Sequence, residues 1–494
     1  MLKEFESNIK FVMKNVSAVF ILKIIGTGLL FIFQVILGNR LGANYYGQFT
    51  IYTTLLNIFL LVTVFGIDST LIRYIPRIKQ DDRLRVTLLK KSLFKVLTVT
   101  IIVVLFMYIF RWPIMAFFNI KSEKIYLVLP AILLIMSISK VLDGFLQGEK
   151  KTSLTTFFNP LLLTVIKLTV FFIAAFLINR NLEAAVISVI VSEGILLIIR
   201  IFYVKNEQGN IVKTCESTFT KKENTKFMKY SLSLFAILSL GTMVSSVDKI
   251  IINAYMGSTE VGVYKVAENY MALVGIFASP FVVFWPVMSE LYKKKQMDVL
   301  DKIFNYAVKL ISLLAVPVMV FIIIFSNDLL RLFGKDFAQG TFILCILLIG
   351  YGCDSLTGPV GALLNMTDYA KYNLMDTIIL AVVDISLNLV LVPRMGAIGA
   401  AIATAVSLVS INIINIIQNR ILLKVFPYDK NNLLIIFMGA IAYLVDKLLY
   451  PMININILVK MIVFVLINYV IVMGAYLLIA KPDFKGFMKS IKSN

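Results

Sequence analysis

Along its whole length the chain alternates apolar runs with short polar interruptions. The runs are about 20 residues long, enough for each to cross a hydrocarbon core as a helix. Strand-like alternation of period two is absent, which sets a transmembrane β-barrel aside. The pattern predicts fourteen spans: 15–38, 48–74, 92–110, 125–147, 154–178, 184–204, 229–255, 262–288, 304–325, 339–363, 372–393, 398–423, 432–450 and 456–479. The interruptions alternate in charge. One set holds Lys3, Lys10 and Lys14, then the 75–91 loop with Arg77, Lys79, Arg83, Arg85, Lys90 and Lys91. It continues through 205–228, Lys293–Lys295 and a tail with Lys481, Lys485, Lys489 and Lys492. The other set is short and poor in lysine and arginine. The positive-inside rule places the first set, and with it both termini, on the cytoplasmic side of a cell membrane.

A short interruption is written twice. Residues 41–49 read LGANYYGQF and residues 256–264 read MGSTEVGVY. At one offset of 215, Gly42 matches Gly257, Gly47 matches Gly262, Phe49 matches Tyr264, and Gly26-Thr27 matches Gly241-Thr242. A second echo, shifted by one residue, sets Ala184-Ala185 against Ala400-Ala401. Spans 1–6 therefore repeat as spans 7–12. The predicted fold is an all-α polytopic membrane protein with an N-terminal six-helix lobe over 1–204 and a cytoplasmic linker over 205–228. A C-terminal six-helix lobe covers 229–425, and helices 13 and 14 with a cytoplasmic tail are appended over 426–494. An even number of spans per repeat gives both lobes one orientation, related by a pseudo-twofold axis along the membrane normal. Paired lobes are a transporter layout. Gly42, Gly47, Gly257 and Gly262 are read as structural turn residues, since glycine permits a tight reversal and close helix approach.

Composition agrees and removes other classes. The chain is 59% hydrophobic and 15% charged over 494 residues. Its net charge of +20 is dispersed through loops between spans, a topology signal and not a nucleic-acid surface. With no histidine and three scattered cysteines there is no zinc spacing or disulfide framework. The first apolar stretch is too long for a signal-peptide core. No G-x4-G-K-[ST] motif occurs, so the energy source is an ion gradient, the membrane potential or downhill consumption of the substrate. Every outer loop is short and none gathers an acid/base constellation. An enzyme such as a polysaccharide polymerase or ligase is therefore not expected.

LGANYYGQF with the following GIDSTLIRYIPR (66–77), VDKIIINAYMGSTEVGVYKVAENY (247–270) and VPRMGAIGAAIATAVS (392–407) carry a family likeness. In these stretches the chain resembles the multidrug/oligosaccharidyl-lipid/polysaccharide exporter superfamily, and within it the flippases of polyprenyl-linked oligosaccharides, polysaccharide repeat units and peptidoglycan precursor. The resemblance implies a V-shaped pair of bundles that opens alternately to the two sides of the membrane. It also implies a polyprenyl diphosphate carrying sugars as substrate, moved from inner to outer leaflet. Partners would be the membrane lipids and glycosyltransferases or a polymerase of the same pathway.

Such a head group calls for a polar, cationic cleft, so ionisable residues at membrane depth are the candidate site residues. Lys23 on span 1 and Lys167 on span 5 are cations of the first half only, since the position equivalent to Lys23 is Leu238. In relatives the first lobe carries cavity cations on helix 1, which points to Lys23 as a diphosphate contact; the plainer reading is snorkelling to the interface. Lys167 either faces the cleft or pairs with Glu193 on the next helix. Lys140 and Asp143, three apart on one face, are placed to satisfy each other. Asp248 and Lys249 point about 100° apart on one helix. With Lys265 and Glu268 they form either a gate and substrate contact or a structural network. The remaining carboxylates suit ion coupling by Na+ or H+. Some relatives hold sodium among helices 7, 11 and 12, where this chain has Asp248, Asp384, Asn388 and Thr404, with the helix-11 Asp and Asn in swapped order. Proton coupling through Asp384 or Asp354 is the other reading. No other cofactor is implied. The rival function is a drug/cation antiporter of the same superfamily, which needs an acidic cavity where this chain offers Lys23 and Lys167.

Overall fold

The computed structural model describes residues 2–78, 82–178, 181–208, 221–277 and 285–480. Cys215, half of the predicted linker (209–220) and the tail lysines from Lys481 onward lie outside the described residues. The helices in the first part of the chain are α1 (Leu2–Val64), α2 (Ile67–Tyr74), α3 (Asp82–Ile109), α4 (Arg111–Phe117), α5 (Glu123–Gly148), α6 (Thr152–Thr156), α7 (Leu163–Ile178), α8 (Asn181–Gln208), α9 (Lys221–Met256) and α10 (Ser258–Gly275). There follow α11 (Trp285–Lys293), α12 (Met297–Ile324), α13 (Ser326–Arg331), α14 (Thr341–Thr357), α15 (Val360–Asn365), α16 (Ala370–Met395), α17 (Ala397–Gln418), α18 (Lys430–Met452), α19 (Ile457–Tyr469) and α20 (Ala475–Ala480).

Among the described residues, 12 helical stretches are long and apolar enough to cross a membrane. The first, Ile21–Val64, breaks at Gly42 (φ 67, ψ 172) and supplies two of the predicted spans. The predicted span 262–288 begins in α10 and runs into residues 278–284, outside the described residues. The fourteen-span reading stands on these terms. The outer surface fits a lipid solvent: Phe176 is 87% exposed and Leu478 77%, positions that would be costly in water. This is a multi-pass membrane protein.

One predicted span is not continuous. Span 48–74 breaks at Phe65 (φ 52) and Gly66 (φ 70), where α1 gives way to α2. The cause is tertiary. A Cβ on Gly66 would lie 2.8 Å from the Ser231 carbonyl oxygen and 3.0 Å from the Phe235 nitrogen, so only glycine lets α9 pass this close. The Ser231 hydroxyl then donates to the Phe65 carbonyl at 2.6 Å, and the Phe65 and Phe235 rings stack at 4.6 Å.

The fold divides into two compact units. The first comprises Met1–Lys265, Leu332–Phe337 and Asn388–Ala400; the second comprises Val266–Arg331, Ala338–Leu387 and Ala401–Asn494. In the first, α5 is the central helix and packs on α2, α3 and α8. Gly144 and Gly148 face α2 so closely that a Cβ on the former would sit 2.7 Å from Asp68 Cα, and on the latter 3.0 Å from the Leu71 carbonyl oxygen. Small residues four apart suit helix association in lipid, where close van der Waals packing replaces the hydrophobic drive. In the second unit α12 is the hub for α14, α18 and α19. The appended helices dock there through Leu313, Val316, Val320, Ile435 and Ala442. Asn468 donates to the buried Asp446 at 2.9 Å, tying α19 to α18.

Candidate functional site

The repeated interruption turns out to be one contact. Gly42 and Gly257 both take positive φ (67 and 85), and each reverses the chain at its turn. Gly47 and Gly262 do something different. A Cβ on Gly47 would overlap the Ser258 carbonyl group and come within 2.9 Å of the Gly262 nitrogen. A Cβ on Gly262 would overlap the Ala43 carbonyl group and come within 3.1 Å of the Gly47 nitrogen. Since Ala43 and Ser258 are themselves 215 positions apart, the contact is reciprocal: each copy's second glycine leaves room for the other copy's turn carbonyl. The Ser258 hydroxyl also donates to Asn44 Oδ1 at 2.5 Å. With the Phe65-Gly66 junction on α9, this makes two places where α1–α2 closes on α9–α10.

Along the chain between those two closures lie Phe49, Thr50, Thr53, Leu56 and Asn57, one wall of a cavity of about 210 Å³. Its charged lining is Lys167 from α7, Glu193 from α8 and Lys265 from α10. Helices α7 and α8 are neighbours, and this puts Lys167 Nζ 4.0 Å from Glu193 Oε1, with the side chains only 17% and 9% exposed. Lys167 is thus paired with Glu193, and both side chains line the cavity. Gln34 completes the polar lining and accepts from the Tyr46 hydroxyl at 2.7 Å. Two lysines and one carboxylate are the charged groups of this lining.

The other candidates are dispersed. Lys23 is exposed on α1 and does not line this cavity. Lys249 is 4% exposed and its ammonium donates to the Ser245 carbonyl of its own helix. Asp248 accepts from the Tyr264 hydroxyl at 2.6 Å and from Asn388 Nδ2 at 3.3 Å. Asp248 and Asn388, two of the four residues named for sodium, are thus in contact. Among the described residues no group of three or more Asp, Glu, Cys or His side chains is placed to hold a metal ion. Asp384 and Thr404 are buried within the second unit. Asp354 accepts from Asn412 Nδ2 at 3.0 Å, whose Oδ1 accepts from Thr357 at 2.7 Å.

The pairing expected between Lys140 and Asp143 does not form. Asp143 instead takes a two-pronged interaction from Arg200 of α8, Nε at 2.8 Å and Nη2 at 3.1 Å, and accepts from Asn159 at 2.8 Å. Arg200 is 1% exposed, among the largest fully buried side chains. A planar guanidinium matches a carboxylate's two oxygens, which an ammonium cannot do. Only an arginine interrupting the apolar stretch at the end of α8 hinted at it in the sequence. Arg200→Leu is expected to cost about 3–5 kcal/mol, because Asp143 would be left charged and buried. Thermal unfolding of the purified protein in detergent measures this, and a midpoint equal to wild type would mean the pair is not a fastening.

The comparisons with known proteins agree with this layout. The family model for polysaccharide biosynthesis proteins matches residues 12–292, and the MatE model matches residues 231–390. A probable low-salt glycan biosynthesis flippase, Agl15 of Haloferax volcanii, is 23% identical over 395 residues, covering 78% of this chain and 79% of that protein. Two solved structures share the fold. The lipid II flippase MurJ in an inward closed conformation aligns with a TM-score of 0.71 at 19% identity, over 95% of this chain and 99% of that one. An inward-facing multidrug resistance MATE family transporter aligns at 0.66 and 15% identity, over 82% and 94%. By the match that spans more than half its length, the chain belongs to the polysaccharide biosynthesis protein family.

Proposed function

We propose that the protein is a flippase that carries a polyprenyl-diphosphate-linked saccharide from the inner to the outer leaflet of the cell membrane. Its termini lie on the cytoplasmic side. The observation that carries this reading is the cavity lined at membrane depth by Lys167, Glu193 and Lys265. A charge at membrane depth is expensive and is kept where it meets a partner or a substrate. Lysines lining a cavity at that depth are suited to meet the negative charge of a diphosphate. The sugars cannot cross hydrocarbon unaided, whereas the polyprenyl chain can stay in lipid throughout.

Alternating access then has a concrete form in the two closures of α1–α2 on α9–α10. The Gly47–Gly262 contact closes the outer side and the Phe65-Gly66 junction closes the cytoplasmic side. Opening one at a time exposes the cavity to one leaflet. Lys23, exposed on α1, meets the anionic head group before it enters. Lys23→Ala is therefore expected to slow translocation, but by less than loss of Lys167, with insertion and abundance unchanged.

The test is translocation of a fluorescent polyprenyl-diphosphate-oligosaccharide in proteoliposomes, with and without sodium and proton gradients. Wild type is expected to move it, and the gradient arms assign the coupling ion. A drug antiporter of the same fold would leave the lipid in place and expel a cationic dye; that result would replace the flippase reading.

A further inference from the structure

A cavity of about 750 Å³ is built entirely from residues of the second unit. Its charged lining is Lys293, Lys295 and Lys424, with Asp368 as the single carboxylate. Asp368 accepts from the Tyr292 hydroxyl at 3.2 Å. Among the described residues none of the three lysines is ion-paired, whereas Lys294, between two of them in sequence, pairs with Glu290 at 2.7 Å. All three are exposed. Three lysines against one carboxylate leave two positive charges unanswered in this lining.

Local structure brings these lysines to one place. Helix α11 ends at Lys293, and the reversal into α12 is closed by Lys295 N on the Tyr292 carbonyl and Gln296 N on the Leu291 carbonyl, each at 3.0 Å. Lys295 takes φ 58 there, and Lys424 takes φ 56 in the turn that ends the 419–423 segment after α17. Glycine adopts this left-handed conformation freely and is the usual residue at such helix ends. The chain has a lysine at both. Under them, Tyr292, Met297 and Leu422 pack against the core of Leu300, Phe304 and Leu423, which fixes the apolar part of the lining. Ile421, beside Leu422, is 71% exposed, as suits a lipid-facing position.

The three segments that meet here all belong to interruptions that the charge pattern assigns to the cytoplasmic side. That side of a cell membrane presents anionic lipids, which basic pockets at helix ends attract. The volume falls within the range of small-molecule sites, about 300–1,000 Å³. We infer that this cavity binds the head group of an anionic phospholipid of the inner leaflet. The phosphate meets the ammonium groups of Lys293, Lys295 and Lys424, which serve as point charges. The glycerol and first acyl carbons lie over Met297, Met366 and Leu422. A soluble phosphate ester would bring the same charge but would leave that apolar lining unused. The inference takes only the cytoplasmic orientation from the proposed function, and it concerns a lipid that stays in its leaflet.

The experiment follows the thermal unfolding midpoint of the full chain in neutral detergent micelles, titrated with phosphatidylglycerol, phosphatidylcholine or glycerol 3-phosphate. A ligand of the folded state raises the midpoint in proportion to its occupancy. Phosphatidylglycerol is expected to raise it at far lower concentration than the other two. Lys295→Gly/Lys424→Gly removes two cations and keeps the left-handed turns, so stability without added lipid is not lowered. The phosphatidylglycerol concentration for half the effect is expected to rise about 30-fold, about fivefold for each lysine. Lys294→Gln removes a neighbouring charge that does not line the cavity, and it leaves the titration unchanged. Equal effects of phosphatidylglycerol and phosphatidylcholine, or equal losses in Lys294→Gln and the double variant, would overturn the site. Glycerol 3-phosphate acting at the same concentration as phosphatidylglycerol would overturn the lipid and assign a soluble phosphate ester. The readout is binding, so failure of the flippase reading in the translocation assay is seen separately.

Discussion

Gly47→Val is expected to stop lipid translocation while the protein still inserts and accumulates as wild type does. The first added carbon already overlaps the Ser258 carbonyl group, and that group belongs to the backbone of the opposing turn and cannot rotate away. Overpacking of this kind costs about 1–3 kcal/mol where the structure can yield. For a two-state equilibrium that is a fall of roughly 5- to 150-fold in the population of the closed form. The outer closure, and only that closure, is what the substitution opposes. Gly262→Val is expected to act alike, because its Cβ meets the Ala43 carbonyl group in the mirror of the same contact. Gly28→Val is the control: it lies on the same helix, and a Cβ there meets nothing within 4 Å. Translocation per inserted molecule is the readout. If Gly47→Val matched wild type, the reciprocal contact would be a static packing feature and not a closure.

The second large effect separates two roles of Lys167. Lys167→Met leaves Glu193 buried without its cation, a change that costs about 3–5 kcal/mol when a buried pair is broken from one side. Stability and translocation are both expected to fall. Removing both charges in Lys167→Met/Glu193→Met takes away the uncompensated carboxylate, and replacing a buried ion pair by apolar groups is often neutral for stability. Thermal stability should therefore return in the double variant, and translocation should not, because the diphosphate has lost its lysine. Recovery of both would show that the pair is structural alone. Lys265 lines the same cavity from α10.

Some of this was legible in the sequence, for physical reasons that can be named. Span positions follow from the length of apolar runs, and a helix in lipid must satisfy its own backbone, so length alone settles most of them. The Lys167–Glu193 pair could be anticipated because successive spans joined by a short loop pack together. The glycine repeat was plain at its offset of 215, yet nothing in it indicated that the copies meet each other. What the sequence hid depends on helices distant in the chain. Arg200 reaches Asp143 across 57 positions, so the local spacing of Lys140 and Asp143 pointed to the wrong partner. The break at Phe65-Gly66 exists because α9 passes there, and the run from 48 to 74 carries no proline to mark it. A cavity of about 370 Å³ lined by Asp68, Asp143, Glu193 and Arg200 is assembled from side chains of α1, α2, α5, α6, α7 and α8 with the segment between α6 and α7.

On the proposed function, the anionic head group enters the cavity lined by Lys167 and Lys265. A polyprenyl-diphosphate-saccharide bearing a photoreactive diazirine beside the diphosphate tests it most directly, by mapping the cross-linked peptides in proteoliposomes. Labelling is expected on α7, α8 and the start of α10, competed by unlabelled lipid and lost in Lys167→Met/Glu193→Met. Label confined to the second unit, or unchanged in that double variant, would contradict it.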